Sequence, residues 1–179
     1  MSRTLLILDL DETLVHATEK PLAHPASFRV PPYHVYRRPF LNQFLDRCGE
    51  LFELAIWTSS TEDYAEAVVN EIWSHEHALS FVWSRSRCTY RVDRERGHAQ
   101  WIKDLKKVRK CGYALERVLM VDDSPRKLSR QYGNLVRVGS FVGDPEDDEL
   151  YWLGLYLPKL AQVENVRRVE KRGWRTQVQ

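Results

Sequence analysis

The chain has 179 residues, of which 43% are apolar and 29% are charged, and its formal net charge is +2. This length and composition predict one globular domain, and so small a net charge does not by itself indicate nucleic-acid or membrane binding. The three cysteines are widely spaced and form no CxxC pair, which argues against a disulfide framework and a cysteine-based zinc site.

The first predicted element is a buried parallel strand over residues 4–10. Its residues are mostly apolar, and the acidic residues Asp9 and Asp11 lie at its end, as expected where the carboxyl end of a strand opens a site. The apolar run is too short for a signal sequence or a membrane span. We therefore expect a soluble cytoplasmic protein with no membrane partner, or a nuclear one if the source is eukaryotic.

Strands and helices then alternate along the chain. Residues 16–37 are irregular and contain four prolines, which predicts a flap or hairpin over the strand end. The remaining predicted elements are helix 39–48, strand 52–57, helix 62–73, strand 81–84, an insertion or hairpin over 85–100, a helix or turn over 101–108, strand 117–121, strand 135–138 and helix 144–163. This alternation predicts a doubly wound α/β fold with a parallel sheet, a small flap and a hairpin insertion.

Basic residues cluster in two segments. Residues 85–110 carry a net charge of +7, and a second basic cluster lies within residues 167–175. Such a cluster either forms a solvated surface or attracts a phosphorylated or polyanionic partner. Nucleic acid is a possible partner through the insertion and the tail. We expect one domain over residues 1–164 and a flexible, solvated basic tail over residues 165–179.

The acidic pair at the end of the first strand indicates a specific chemistry. Two buried carboxylates, such as Asp9 and Asp11, are costly unless a cation or a reaction needs them. One carboxylate can attack phosphorus to give an aspartyl-phosphate, while a second protonates the leaving group and then activates water. Asp122 and Asp123 offer hard oxygen ligands for Mg²⁺, and Lys103 is a candidate cation for the phosphate charge.

Four segments of this sequence resemble the motifs of a known superfamily. They are Asp9-Leu10-Asp11-Glu12-Thr13, Thr58 after strand 52–57, Lys103-Asp104-Leu105, and Asp122-Asp123 after strand 117–121. In this order they resemble the motifs of the haloacid dehalogenase superfamily, and within it the small phosphatases that act on the C-terminal domain of RNA polymerase II. The similarity covers nearly everything before the tail.

The resemblance implies a role for each catalytic residue. Asp9 would be the nucleophile and a metal ligand. Asp11 would be the general acid and base and would lend a main-chain carbonyl to the metal. Thr58 would hydrogen-bond the phosphoryl oxygens, and Lys103 would neutralise them.

The resemblance also implies Mg²⁺ as the cofactor. Asp123 would hold the ion, and Asp122 would steer the lysine or a water molecule at the ion, although the assignment between these two aspartates stays open. The candidate substrate-binding residues are Thr13, Ser59, Tyr64 and Arg91. For Tyr64 a place in the core is the alternative, because a single aromatic residue on a helix is more often core.

Two departures from the family pattern concern the substrate. Glu19 stands where relatives carry an aromatic residue that grips a proline beside the phosphoserine, and the insertion over residues 88–101 is longer and richer in arginine. A phosphoserine-proline substrate is therefore not carried over. We expect a phosphatase for phosphoserine or phosphothreonine in proteins or for another anionic phosphomonoester; the alternatives are a nucleic-acid end phosphatase and a phosphate-recognition module without turnover.

Overall fold

The computed structural model describes residues 3–73, 77–93 and 98–179. Their strands and α-helices, in chain order, are β1 Leu5–Leu8, β2 Val15–Thr18, β3 Phe28–Val30, β4 Tyr33–Arg37, α1 Leu41–Leu51, β5 Glu53–Trp57, α2 Glu62–Ile72, β6 Leu79–Trp83, β7 Thr89–Asp93, β8 His98–Ile102, α3 Lys106–Lys110, β9 Val118–Asp122, β10 Leu135–Arg137, α4 Glu149–Tyr156 and α5 Pro158–Ala161.

The central sheet has the order β10-β9-β1-β5-β6, and each neighbouring pair is parallel. This confirms the predicted α/β fold. Leu8 of β1 lies opposite Val121 of β9 and Ile56 of β5. The residues that follow these three strands therefore meet at one edge of the sheet, where ligands bind in this class of fold.

The sheet is buried on both faces because successive strand residues point to opposite sides. Leu6 and Leu8 pack into the core formed with α1, α2, α4 and α5. Leu5 and Ile7 pack into a second core on the other face, which includes Val108 of α3. The four residues of β1 are fully buried, so the strand that carries the acidic pair is anchored on both sides.

Two small antiparallel sheets stand beside the central one. Strands β2, β3 and β4 form the predicted flap, and β7 pairs with β8 as the predicted hairpin. The expectation of a helix or turn over 101–108 is wrong at its start, because Trp101 and Ile102 belong to β8. Trp101 lies opposite Tyr90, with 4.9 Å between ring centroids, and this cross-strand aromatic pair favours the strand.

The last predicted helix begins later than expected and is divided. Asp147 lies before the helix, and its carboxylate accepts hydrogen bonds from the Arg38 guanidinium at 2.7 and 2.9 Å. The helix then runs as α4, and Pro158 opens α5. Among the described residues, no helix has both the length and the apolar character needed to cross a membrane.

The expectation of a flexible C-terminal tail is wrong for the described structure. Trp174 is 4% exposed, and its indole nitrogen donates to the carbonyl of Arg137 at 2.7 Å. Arg175 forms ion pairs with Asp148 and Glu149 at 2.6 and 2.9 Å. The tail packs on the domain because burial of one aromatic side chain and formation of these ion pairs stabilise the packed position more than solvation of the surrounding charges stabilises a free end.

Candidate active site

Asp9 is held at the carboxyl edge of β1 by a tight loop. Its amide donates to the carbonyl of Val121 at 3.0 Å, which extends the pairing of β1 with β9. Glu12 adopts a left-handed conformation with φ of 57°, and the amides of Leu14 and Val15 both donate to the carbonyl of Leu10. The chain therefore reverses directly after the first strand, and Asp9 and Asp11 stay at the site.

Two lysines share the carboxylate of Asp9. Lys103 Nζ lies 2.7 Å from Oδ1, and Lys127 Nζ lies 2.8 Å from Oδ2. Burial disfavours the charged carboxylate, but the two ammonium groups outweigh it and lower the pKa of Asp9. Asp9 is therefore ionised at neutral pH, which is the form that a nucleophile requires.

Asp11 is surrounded by neutral donors. Ser60 Oγ donates to its Oδ2 and the Tyr64 hydroxyl donates to its Oδ1, each at 2.6 Å. Burial raises the pKa of Asp11, and the negative charge of Asp9 adds to the rise, although the two donors oppose it. A carboxyl group that retains its proton to higher pH is suited to general acid catalysis.

Asp122 is completely buried and engaged at both oxygens. Its Oδ2 accepts from Lys103 Nζ at 2.7 Å and its Oδ1 accepts from the amide of Ser124 at 2.9 Å. Burial first, and the neighbouring charge of Asp9 second, raise the pKa of Asp122 to about 6. The carboxylate of Asp122 therefore orients the ammonium group of Lys103.

Three carboxylates meet closely enough to hold a cation. One oxygen from each of Asp9, Asp122 and Asp123 lies within 4.8 Å of the other two. Oδ1 of Asp9 is buried without a hydrogen bond of favourable geometry to any described residue, although Lys103 lies near it. Hard carboxylate oxygens are the ligands that Mg²⁺ prefers, so the residues present fit the ion. The side chain of Asp11 is not part of this group.

Thr58 follows β5 and faces the same edge. Its amide donates to the carbonyl of Trp83 at 2.9 Å, and its Oγ1 accepts from the amide of Ser60 at 3.1 Å. Because Oγ1 serves as the acceptor there, its hydroxyl hydrogen is left to donate to a substrate oxygen. Thr13 is buried in the loop, and its Oγ1 has no hydrogen-bond partner among the described residues.

A cleft of about 380 Å³ has Asp11 in its lining. Its lining includes the predicted residues Ser59 and Tyr64 together with Tyr33, Arg85 and Lys127. Arg91 is not in the lining; it lies exposed on β7, and its assignment to substrate stays a prediction. A larger cleft of about 750 Å³ lies between β10 and the C-terminal segment and contains none of the predicted catalytic residues.

The predicted site residues do not include Ser60, Arg85 or Lys127. Ser60 contacts Asp11, and Arg85 lines the cleft, with its Nε donating to the carbonyl of Ser59 at 2.7 Å. Lys127 contacts Asp9, because the short 3₁₀ helix Pro125–Leu128 turns back toward the sheet edge. The available signal for Lys127 was its position four residues after Asp123, a spacing too common to indicate a site.

A parallel sheet with carboxylates at its carboxyl edge is the arrangement found in the haloacid dehalogenase superfamily. The sequence model of the family described as NLI interacting factor-like phosphatase matches residues 4–167, and the chain belongs to that family.

Several known proteins resemble this chain. It is 35% identical to CTD small phosphatase-like protein 2 of Dictyostelium discoideum over 169 residues. The matched region covers 90% of this chain and 28% of the relative. The chain is 34% identical to human carboxy-terminal domain RNA polymerase II polypeptide A small phosphatase 1, covering 92% of this chain and 62% of the relative. The solved structure of Fcp1, an essential RNA polymerase II CTD phosphatase, matches with a TM-score of 0.59 and 25% identity, over 93% of this chain and 51% of that one. The chain thus spans between about a quarter and two thirds of these relatives.

Proposed function

We propose that the chain is a Mg²⁺-dependent phosphatase that hydrolyses phosphomonoesters through an aspartyl-phosphate on Asp9, and that its substrates are phosphoserine or phosphothreonine side chains of proteins. The contrast between Asp9 and Asp11 carries the proposal. Two neighbouring carboxyl groups have pKa values shifted in opposite directions, which is the arrangement that separates a nucleophile from an acid.

The first half of the reaction uses both carboxyl groups. An oxygen of the ionised Asp9 attacks phosphorus and forms a P–O bond, while the bond from phosphorus to the substrate's ester oxygen breaks. Asp11 gives its proton to that ester oxygen, so the alcohol leaves neutral. Lys103 balances the phosphoryl charge, and the Thr58 hydroxyl donates to a phosphoryl oxygen.

The second half restores the enzyme. Asp11, now ionised, takes a proton from water, whose oxygen attacks phosphorus; the bond to Asp9 breaks and inorganic phosphate leaves. Asp9, Asp123 and the main-chain carbonyl of Asp11 are the proposed ligands of Mg²⁺, which when bound neutralises charge on the phosphoryl group. Asp122 is the better candidate for steering Lys103, because both of its oxygens are already engaged.

The shape and lining of the cleft support a peptide substrate. Tyr33 and Tyr64 form an aromatic wall, with ring centroids 5.8 Å apart and nearly perpendicular planes. Arg85 provides a positive charge at the same cleft, and its guanidinium lies 5.6 Å from the centre of the Trp101 ring. A phosphorylated side chain flanked by acidic residues matches this combination of apolar and basic surface.

A substrate panel tests the proposal. We expect Mg²⁺-dependent release of phosphate from phosphoserine or phosphothreonine peptides, with loss of activity in Asp9→Asn and after chelation by EDTA. Asp46→Asn, at an exposed position of α1, is the control. Faster release from 3′- or 5′-phosphorylated oligonucleotides would contradict the protein substrate. Binding of phosphopeptides without any turnover would contradict catalysis.

A further inference from the structure

The catalytic edge contains a second lysine that the mechanism above does not use. Lys127 Nζ lies 2.8 Å from Oδ2 of Asp9, 3.6 Å from Oδ1 of Asp122 and 3.9 Å from Oδ1 of Asp123. Lys103 is instead fully buried and takes Oδ1 of Asp9 and Oδ2 of Asp122. The two lysines thus contact different oxygens of the Asp9 carboxylate.

The three carboxylates around Lys127 are the same three that can hold a divalent ion. An ammonium group and Mg²⁺ repel each other, and each is attracted by the same oxygens. At short separations in a partly buried site this repulsion is large compared with the energy of a single hydrogen bond. Binding of the ion therefore requires the ammonium group of Lys127 to withdraw from Asp9.

The surroundings of Lys127 allow its side chain to move while its backbone stays in place. Its carbonyl accepts from the amide of Lys103 at 2.8 Å, and its amide donates to the carbonyl of Ser124 at 3.1 Å. Its side chain is 21% exposed and lines the cleft together with Tyr64 and Arg85. Because its backbone is fixed and its side chain is long and flexible, Lys127 can move its ammonium group from the carboxylates into the cleft.

We propose that Lys127 is an exchangeable second cation of this site: it competes with Mg²⁺ for the carboxylates of Asp9 and Asp123, and when displaced it binds the phosphoryl group in the cleft. The first half concerns metal binding alone, and the second half rests on the proposed function. A lysine in this position makes metal binding and phosphate binding cooperative, because each ligand favours the same displaced position of the ammonium group.

Binding measurements on the metal-stripped full chain test both halves. We expect Lys127→Met to bind Mg²⁺ at least about tenfold more tightly than the wild type by calorimetry, which corresponds to about 1.4 kcal/mol. With saturating Mg²⁺, the same variant should bind inorganic phosphate at least about tenfold more weakly. The matched control is Arg126→Met, which removes the same charge from an exposed side chain of the same 3₁₀ helix and should leave both constants near those of the wild type.

Three results would overturn the proposal. They are an unchanged Mg²⁺ affinity in Lys127→Met, an unchanged phosphate affinity once Mg²⁺ is saturating, and equal effects in Arg126→Met. Lys127→Gln replaces the methionine variant if the latter does not fold, since an amide can still donate to Asp9 without carrying charge. A wild-type protein that hydrolyses no phosphomonoester would contradict the proposed function and leave this comparison intact, because both readouts are binding constants.

Discussion

Lys103 Nζ lies midway between two buried carboxylates, 2.7 Å from an oxygen of Asp9 and 2.7 Å from an oxygen of Asp122. All three side chains are almost completely buried. Taking one positive and two negative charges out of water is costly, and each charge is tolerated only while its partners remain. The stability of the sheet edge that carries Asp9 and Asp122 therefore depends on Lys103.

Removal of the Lys103 charge should destabilise the protein as well as inactivate it. We expect Lys103→Met to lower the free energy of unfolding by about 3 kcal/mol or more, because two buried carboxylates lose their buried counter-ion and keep only the partly exposed Lys127. Urea unfolding in the presence of EDTA measures the loss. Adding Asp122→Asn to the variant should recover part of it, and a double variant as unstable as the sum of the two single variants would contradict the coupling.

Tyr64→Phe should change the pH dependence of catalysis. The Tyr64 hydroxyl stabilises the ionised form of Asp11, so its removal raises the pKa of Asp11 further. Because the proposed mechanism requires Asp11 in its protonated form, kcat/KM should fall as the pH rises through this pKa. The alkaline limb of the kcat/KM profile with a phosphoserine peptide should therefore move to higher pH.

The control for this experiment is Tyr151→Phe, since Tyr151 is an exposed residue of α4. It should leave the profile unchanged. An alkaline limb that stays in place in Tyr64→Phe, or that moves to lower pH, would argue against Asp11 as the acid or against Tyr64 as its donor.

Arg38 should link the stability of the fold to the geometry of the nucleophile loop. Its guanidinium pairs with Asp147 through two hydrogen bonds and donates to the carbonyl of Thr13 at 3.1 Å. We expect Arg38→Ala to cost about 3 to 5 kcal/mol of unfolding free energy and to reduce kcat. Arg47→Ala, an exposed substitution on α1, is the comparison. Retention of full stability in Arg38→Ala would show that the pair with Asp147 is not formed.

The packed C-terminal segment should contribute to the stability of the domain. Trp174 is buried beside Tyr156, with 5.5 Å between ring centroids. Trp174→Ala should lower the free energy of unfolding by about 3 to 5 kcal/mol, while Arg172→Ala at a mostly exposed side chain should change it by less than about 0.5 kcal/mol. Equal effects of the two substitutions in thermal unfolding would contradict the packed arrangement.

Some features of the fold were readable from local sequence. The apolar runs of β1, β5 and β9 are short and continuous, a pattern typical of strands buried on both faces. Their order with the intervening helices predicts a parallel sheet, and in such a sheet the residues after these strands share one edge. The meeting of Asp9, Thr58 and Asp122 at that edge follows from topology alone.

The strand β8 and the packing of the C-terminal segment were not predictable from local sequence, because the same residues are compatible with more than one structure. The sequence around Trp101 predicts a helix or turn, because the preference of Trp101 for a strand depends on its cross-strand partner Tyr90. The charges of the tail predict a flexible, solvated end, whereas the buried side chains of Val166, Lys171 and Trp174 pack it on the domain. Composition averages over a segment, but packing depends on individual contacts.

The sequence by itself determined the parallel α/β class and the two carboxylates after the first strand, and its motifs indicated the family, because these features depend on local patterns and their spacing. The tertiary structure decided which groups surround those carboxylates. Ser60 and Tyr64 donate to Asp11, Arg85 rather than Arg91 lines the cleft, and Lys127 reaches Asp9. These contacts join side chains distant in sequence, and burial strengthens them by removing the competing water.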